Sequence, residues 1–267
     1  MTTPLNVAVH GAAGRMGQRV TAVTHADKDS TVVAALEHAA SPAIGKDAGE
    51  LAGLGKIDVP VTADIPEGVD VVIDFSVPEA LVDLVKKCQQ RKLPLVIATT
   101  GLSPGQKQVV EAAIVDIPVV WAPSMSQAVN VTMELTRLAS RFLKNVPEGV
   151  DVEIIERHHR YKEDAPSGTA LRFGEIVASE MGHSNHQHGR EGRPGQRPRN
   201  EIGYHAVRVS DNVGEHTIIF GMLGETIELT VKGSTRDCYA YGALAAAKFV
   251  VNQQPGLYTM NDVLGLA

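Results

Sequence analysis

Hydrophobic positions divide this chain into two halves with different rhythms. In the first half, short apolar runs recur, each ended by glycine or a polar turn: Leu5–His10, Thr31–Leu36, Val69–Phe75, Leu93–Thr99 and Pro118–Ala122. Continuous runs rich in valine and isoleucine predict strands covered on both faces. Helix-start signals stand between them. Arg15 to about Ala26 predicts a helix after the first strand, and Ser76-Val77-Pro78-Glu79 and Ser103-Pro104-Gly105-Gln106 read as capping boxes with proline in the first turn. Strands alternating with helices predict βαβ units and a parallel sheet. Segment 38–64, rich in Gly, Ala and Asp, predicts a long connection carrying at most a short helix.

After Ser126 the rhythm changes. One long helix is predicted over 127–144, then a strand over 150–158 and a helix from Thr169 to about Met181. A Gly/Pro/Arg/His-rich loop follows over 182–200. Three closely spaced strands come next, 202–209, 215–222 and 225–232, with Leu223-Gly224 suited to a tight hairpin. This half predicts a smaller domain with a mixed sheet of about four strands. A last helix, 237–253, closes the pattern. The fold class expected is therefore α/β: a parallel sheet with helices on both faces, spanning 1–126 and 236–267, plus a smaller α+β domain with a mixed or antiparallel sheet, 127–235.

Composition narrows the function classes. Of 267 residues 43% are hydrophobic, as in a globular protein, and 25 basic against 31 acidic residues give no electrostatic footprint for nucleic acid. No run approaches the roughly 18 apolar residues of a membrane span, and the first residues show no basic, apolar leader pattern. Two cysteines, Cys88 and Cys238, fit packed thiols in a reducing compartment. A cytoplasmic protein with neither membrane nor nucleic-acid partner is expected.

Two stretches carry chemistry. GAAGRMG (11–17) stands where the first strand meets the first helix, where glycines let backbone approach a pyrophosphate attracted by the helix N-terminus. Its spacing, Gly11, Gly14 and Gly17, is not the commonest fingerprint. Glu37, at the end of the second strand, sits where a dinucleotide-binding fold places the acid for the adenosine ribose. Beside it His38 would welcome a 2′-phosphate if cationic and do little if neutral; Arg15 could supplement it. The strand ends Ala98-Thr99-Thr100-Gly101 and Ala122-Pro123-Ser124-Met125 lie where open α/β sheets bind ligands.

The other stretch is 153–170, EIIERHHRYKEDAPSGTA, whose Arg157, His158, His159, Arg160 and Lys162 stand out on a chain of net charge −6. His158 and Lys162 are candidate proton carriers, their pKa values expected to be lowered by neighbouring positive charge; Arg157 and Arg160 can only bind or orient. Ser167 predicts a helix N-cap, which makes the N–H groups of Gly168, Thr169 and Ala170 an anion site. A carboxylate-bearing small molecule would find both there.

The run E-x-x-E-x-H-H-R-x-K-x-D-A-P-S-G-T-A resembles the signature of the dihydrodipicolinate reductase family. The resemblance extends over the chain, through GAAGRMG, DAGELAG (47–53), VVIDFSVPE (71–79), REGRPG (190–195), VGEHTIIF (213–220) and NDVLGL near the end. It implies a Rossmann-like dinucleotide-binding domain, a substrate-binding and oligomerisation domain, and a homotetramer built through the smaller domain's sheet. It implies reduction of 4-hydroxy-tetrahydrodipicolinate to tetrahydrodipicolinate with loss of water, in diaminopimelate and lysine biosynthesis, without a metal. The general acid/base matches His158 and the second proton donor Lys162. Substrate binding matches His159, Gly168 and Thr169. Cofactor contacts match Gly11, Ala12, Ala13, Gly14, Arg15, Met16, Glu37, His38, Ala98, Thr99, Thr100, Ala122, Pro123, Ser124 and Met125. The chain departs from the family where Gly is frequent at Ala98, Arg at His38 and Asn-Phe at Ser124-Met125, which leaves cofactor choice open. With Glu37 opposing a 2′-phosphate and no arginine at 38, NADH and NADPH are both expected to serve, NADH equally or modestly better.

Other features compete. His183, His186 and His188 resemble metal-ligand spacing but lack an acidic or thiolate partner, so a mobile loop is expected. His205 reads as a hydrogen-bonded sheet residue and Trp121 as core near a strand end. Another nicotinamide enzyme of the same plan, of amino-acid dehydrogenase type, or a non-catalytic nicotinamide-binding sensor are the competing functions. The first would not explain the His-His-Arg-x-Lys run, and the second would need no proton donors.

Overall fold

The computed structural model describes residues 3–266, and the chain divides into two compact units: the chain up to Gln127 together with Arg236 onward, and Ala128–Thr235.

The first unit is built on seven parallel strands. They are β1 (Leu5–His10), β2 (Ser30–Leu36), β3 (Val61–Thr62), β4 (Val71–Asp74), β5 (Leu95–Ile97), β6 (Pro118–Trp121) and β12 (Gly256–Tyr258), in the order β12-β6-β5-β4-β1-β2-β3. Successive side chains of a strand point to opposite faces, so the apolar runs serve two cores. Val7, Val9, Val71, Ile73, Val96 and Val120 face α1 (Arg15–Ala26) and α7 (Asp237–Val250). Their neighbours Ala8, Val72, Leu95, Ile97 and Val119 face α3 (Pro78–Arg91) and α4 (Pro104–Ala113). The chain runs outward from β1 through β2 to β3, then restarts at β4 on the other side. The β1/β4 boundary is thus the topological switch point, where such sheets open a crevice at their carboxyl ends.

The second unit holds five strands: β7 (Asp151–His158), β8 (Asn185–His188), β9 (Glu201–Arg208), β10 (Gly214–Met222) and β11 (Glu225–Gly233), in the order β11-β10-β7-β9-β8. The β11-β10-β7 ladder is antiparallel and β7-β9-β8 parallel. The core joins Val152, Ile154, Ile202, Tyr204, Ile218 and Phe220 to Val129 of α5 (Gln127–Leu143) and Phe173 and Val177 of α6 (Gly168–Met181).

Several expectations are corrected. Ser103 forms the predicted capping box with Gln106, but Ser76 does not cap α3: Val77 is its N-cap, and the Ser76 hydroxyl turns to the Asp74 carboxylate. The segment 182–200 is not a free loop. Four of its residues form β8, and Arg190 and Arg197 lock it to Glu153 and Asp151. The second sheet therefore has five strands rather than four. The helix predicted over 237–253 ends at Val250, the connection over 38–64 carries the short helix α2 (Ala48–Leu51), and β3, β12 and α8 (Met260–Leu264) are additional. Short edge strands such as Val61-Thr62 and Gly256–Tyr258 carry too few residues for a period to register.

Candidate functional site

At the crevice of the first unit, β1 delivers its chain into the glycine turn. Gly11 adopts φ +75°, and a Cβ on Gly17 would run into the Gly11 carbonyl oxygen, so both positions need glycine for close packing of turn and helix. Gly14 is the N-cap of α1 and supplies no side chain to its first N–H groups, which leaves the helix start suited to a phosphate. Ala12 is buried; Gly14 and Arg15 are exposed, and Ala13 and Met16 lie between. Glu37 Oε1 accepts the Ala13 N–H at 2.9 Å, so the acid at the end of β2 also braces the turn. His38 Nδ1 accepts the Ala40 N–H at 3.2 Å, an acceptance only an unprotonated ring nitrogen can make. Glu37 and His38 line a cleft of about 290 Å³ with His10, Ala63, Asp64 and Lys87, and Lys87 is tied to Asp64 at 2.6 Å.

One buried carboxylate ties the strand ends together. Asp74, fully enclosed at the end of β4, accepts from Thr99 Oγ1 at 2.6 Å and from Ser76 Oγ at 2.6 Å, and lies 2.7 Å from His10 Nδ1. The Thr99 side chain is therefore spoken for inside the fold, and only its backbone can meet a ligand. Met125 likewise points into the core, and its carbonyl oxygen lies where a Cβ on Gly242 would stand. Ala98, Thr100 and Ser124 stay at least partly accessible and Pro123 exposed; Ala122 is buried. Thr99, Thr100, Trp121 and Pro123 line a second cleft of about 280 Å³, and Trp121 also packs against the core beneath.

In the second unit the 153–170 stretch is sorted by the period of β7. Val152, Ile154, Glu156 and His158 share the helix-covered face; Arg157 points the other way and lies 3.7 Å from Glu215. Register places His216 of β10 opposite Glu156, and Arg208 of β9 beside His158. Glu156, 1% exposed, meets the His158 ring at Nδ1 (2.6 Å), takes both Arg208 Nη groups at 2.8 Å and accepts the Ser167 N–H at 3.0 Å. These bonds hold the Glu156 carboxyl down at about 2 against the cost of burial. The charged group on the ring is thus a carboxylate, not the cationic neighbours expected from the sequence. A Cβ on Gly214 would approach His158 Nε2 to 3.0 Å, which explains the glycine two residues before His216.

Lys162 forms an ion pair with Asp164 at 2.9 Å, the latter well exposed. Arg160 holds the Ser210 carbonyl through its backbone N–H, and His159 packs against the Tyr161 ring. Ser167 caps α6 by accepting the Ala170 N–H, while Gly168 and Thr169 open the helix on its accessible side. Behind them His216, within 3.1 Å of Ser167 Oγ, is pushed down to about 4 by burial and by the His158 charge.

Sequence reasoning missed Glu156, Arg208 and His216 as members of this cluster. For Glu156 the signal was present: two residues before His158 on a strand, it must share its face. The histidines of 182–188 do not converge. His183 is buried against the Val150 carbonyl oxygen, whereas His186 and His188 pack on Tyr204, and no group of three metal-ligating side chains occurs among the described residues. His205 bonds Glu153 at 2.8 Å, as a sheet residue. Cys88 is buried, its thiol pushed up to about 12, and no described helix is long and apolar enough to cross a membrane.

Comparison with known proteins adds to this geometry. Residues 5–125 match the family model for the N-terminus of dihydrodipicolinate reductase, and 128–264 that for its C-terminus. The 4-hydroxy-tetrahydrodipicolinate reductase of Rhodopirellula baltica is 55% identical over 100% of this chain and 98% of its own length. That of Alkalilimnicola ehrlichii is 46% identical over 100% of both. Among solved structures, a dipicolinate-bound dihydrodipicolinate reductase from Paenisporosarcina superimposes with a TM-score of 0.75 at 24% identity, covering 96% of this chain and 98% of that one.

Proposed function

The chain belongs to the dihydrodipicolinate reductase family, and from that premise we propose that it reduces 4-hydroxy-tetrahydrodipicolinate to tetrahydrodipicolinate with a nicotinamide cofactor, in the cytoplasm. The observation that carries the reading is the buried Glu156–His158 pair beside the start of α6. It combines a proton donor with an anion site, as a cyclic dicarboxylate requires. Loss of water from the hydroxylated ring would leave a conjugated imine; a nicotinamide, when bound, would supply hydride to its carbon 4, and a proton donor of the site would supply the proton that completes the reduction.

The chain's residues do the rest. The N–H groups of Gly168 and Thr169, with His159, receive one carboxylate at the positive end of α6. Lys162 can leave the exposed Asp164 for the substrate and act as the second proton donor. His158 holds Nδ1 against Glu156 and keeps Nε2 to exchange a proton with the substrate. The glycine turn 11–16 with Glu37 and His38, and the strand ends 98–100 and 122–125, make up the cofactor subsite.

Glu37, which braces the glycine turn, would accept the ribose hydroxyls and oppose a 2′-phosphate, and His38 offers no fixed guanidinium to hold one. NADH and NADPH therefore both serve, with kcat/KM for NADH equal to or up to roughly tenfold higher, a difference of at most about 1.4 kcal/mol. The face of the second sheet opposite its helices exposes Ile155 and Val207, which favours assembly through that face into the family's homotetramer.

Following NADH oxidation while a synthase generates the unstable substrate in situ tests the activity. Turnover that requires the synthase is expected, with pyridine-2,6-dicarboxylate competing against substrate; NADH binding without turnover would leave only the sensor reading.

A further inference from the structure

We propose that Glu156 and Arg208 are a positioning pair which sets the protonated nitrogen of His158 and holds the Lys162 loop and the start of α6 in register with it. This rests on the reading of His158 as proton donor and adds to it residues that act without touching substrate. The pair links three otherwise separate pieces of the site. Glu156 Oε2 meets His158 Nδ1 at 2.6 Å, and Oε1 accepts the N–H of Ser167, the cap of α6, at 3.0 Å. Arg208 grips both carboxylate oxygens at 2.8 Å, and its other bonds go to the carbonyl oxygens of its neighbour Val207 (2.8 Å) and, in the loop, of Lys162 (3.2 Å) and Asp164 (2.6 Å). Proton donor, second donor and anion site thus hang on one buried carboxylate–guanidinium pair.

The chemistry fixes the direction of each bond. An ionised carboxylate only accepts, so His158 must carry hydrogen on Nδ1 and turn Nε2 to the reaction. Arg208 has no acceptor and five N–H donors in a rigid fork, enough to serve Glu156 and both loop carbonyls at once. The titratable and charged groups around His158 are Glu156 on its own strand, Arg208 on β9, His216 on β10, whose ring centroid lies 5.2 Å away, and Lys162 in the following loop. Of these only Glu156 bonds the ring, so the tautomer depends on it.

The test uses the full chain with histidine labelled in nitrogen-15. In wild type, neutral His158 is expected as the Nδ1–H tautomer; finding Nε2–H instead would overturn the proposal without any variant. In Glu156→Gln the side-chain amide can both donate and accept, so the Nδ1–H preference is expected to weaken. With it kcat falls by roughly 10²-fold and the pH–rate profile shifts, while substrate KM and NADH binding stay within about threefold. In Arg208→Lys, which keeps the charge but cannot span both loop carbonyls, the expectation is a tautomer as in wild type and a tenfold or larger rise in substrate KM. A folded Glu156→Gln with unchanged tautomer and pH profile, or an Arg208→Lys with unchanged KM, would overturn it. The tautomer is read without turnover, so absence of reductase activity in wild type would count against the proposed function and not against the pairing.

Discussion

The two units handle buried charge in opposite ways. Among the described residues, the only buried carboxyl, imidazole or cationic side chain of the parallel-sheet unit is Asp74, and it serves to tie strand ends to the loops around them. The mixed-sheet unit encloses Glu156, His158, His183, Glu201 and His216 in a smaller body. The difference follows from what each must bind. A dinucleotide can be held by backbone N–H groups at strand and helix ends, which leaves the sheet free to be apolar on both faces. Proton transfer needs side chains whose ionisation is controlled, and control comes from burial and fixed partners. On the proposed function, reactivity is concentrated in the unit that carries more buried polarity, and so more risk to its own stability.

That contrast can be broken first at its centre. His158→Gln is expected to lower kcat by roughly 10²–10⁴-fold with little change in NADH affinity. Near-wild-type turnover from pH 6 to 9 would remove the proton-transfer role from the second unit. Steady-state kinetics with a parallel NADH titration separates the two quantities.

A smaller effect concerns acid stability. His216 sits at about 4 in the folded chain against an ordinary 6.5, because burial and the His158 charge disfavour its cation. Between those values the unfolded chain binds a proton that the folded one refuses. Its contribution is complete above about pH 6.5 and is lost as pH falls toward 4, on the order of 3 kcal/mol in all. Glu156 and Glu153, both held near 2, remove further stability only below about 4.5. Urea unfolding between pH 7 and 4 should therefore show a decline that His216→Asn largely removes relative to its own pH 7 value. A decline of equal size in the variant would place the acid sensitivity elsewhere.

The smallest effect is expected in the first unit, where the proposed cofactor subsite is mostly backbone and side chains would only trim specificity. His38→Arg should move the ratio of kcat/KM for NADPH over NADH upward by about tenfold, since it supplies a fixed, bidentate phosphate ligand. Kinetics with both cofactors checks it; an unchanged ratio would assign the choice to Glu37 or Arg15 instead.

The alternation of strands and helices, the change of rhythm after Ser126, the glycine turn and the 153–170 stretch were legible along the chain, because each is written in local periods, caps and spacings. Residues 5–10 and 15–26 were legible almost to their ends; Val61-Thr62 was not, since two residues carry no period. Which charges face which was set by the folded chain. The period of β7 places Glu156 and His158 together and sends Arg157 to the far face, but the partners of Glu156 arrive from 52 residues away at Arg208 and 11 away at Ser167. His216 reaches Ser167 across a separation of 49. Strand register sets those meetings, and register is a property of whole sheets: a shift of one residue would turn every inward side chain outward. The buried apolar face of β7 fixes that register, and with it the surroundings of His158.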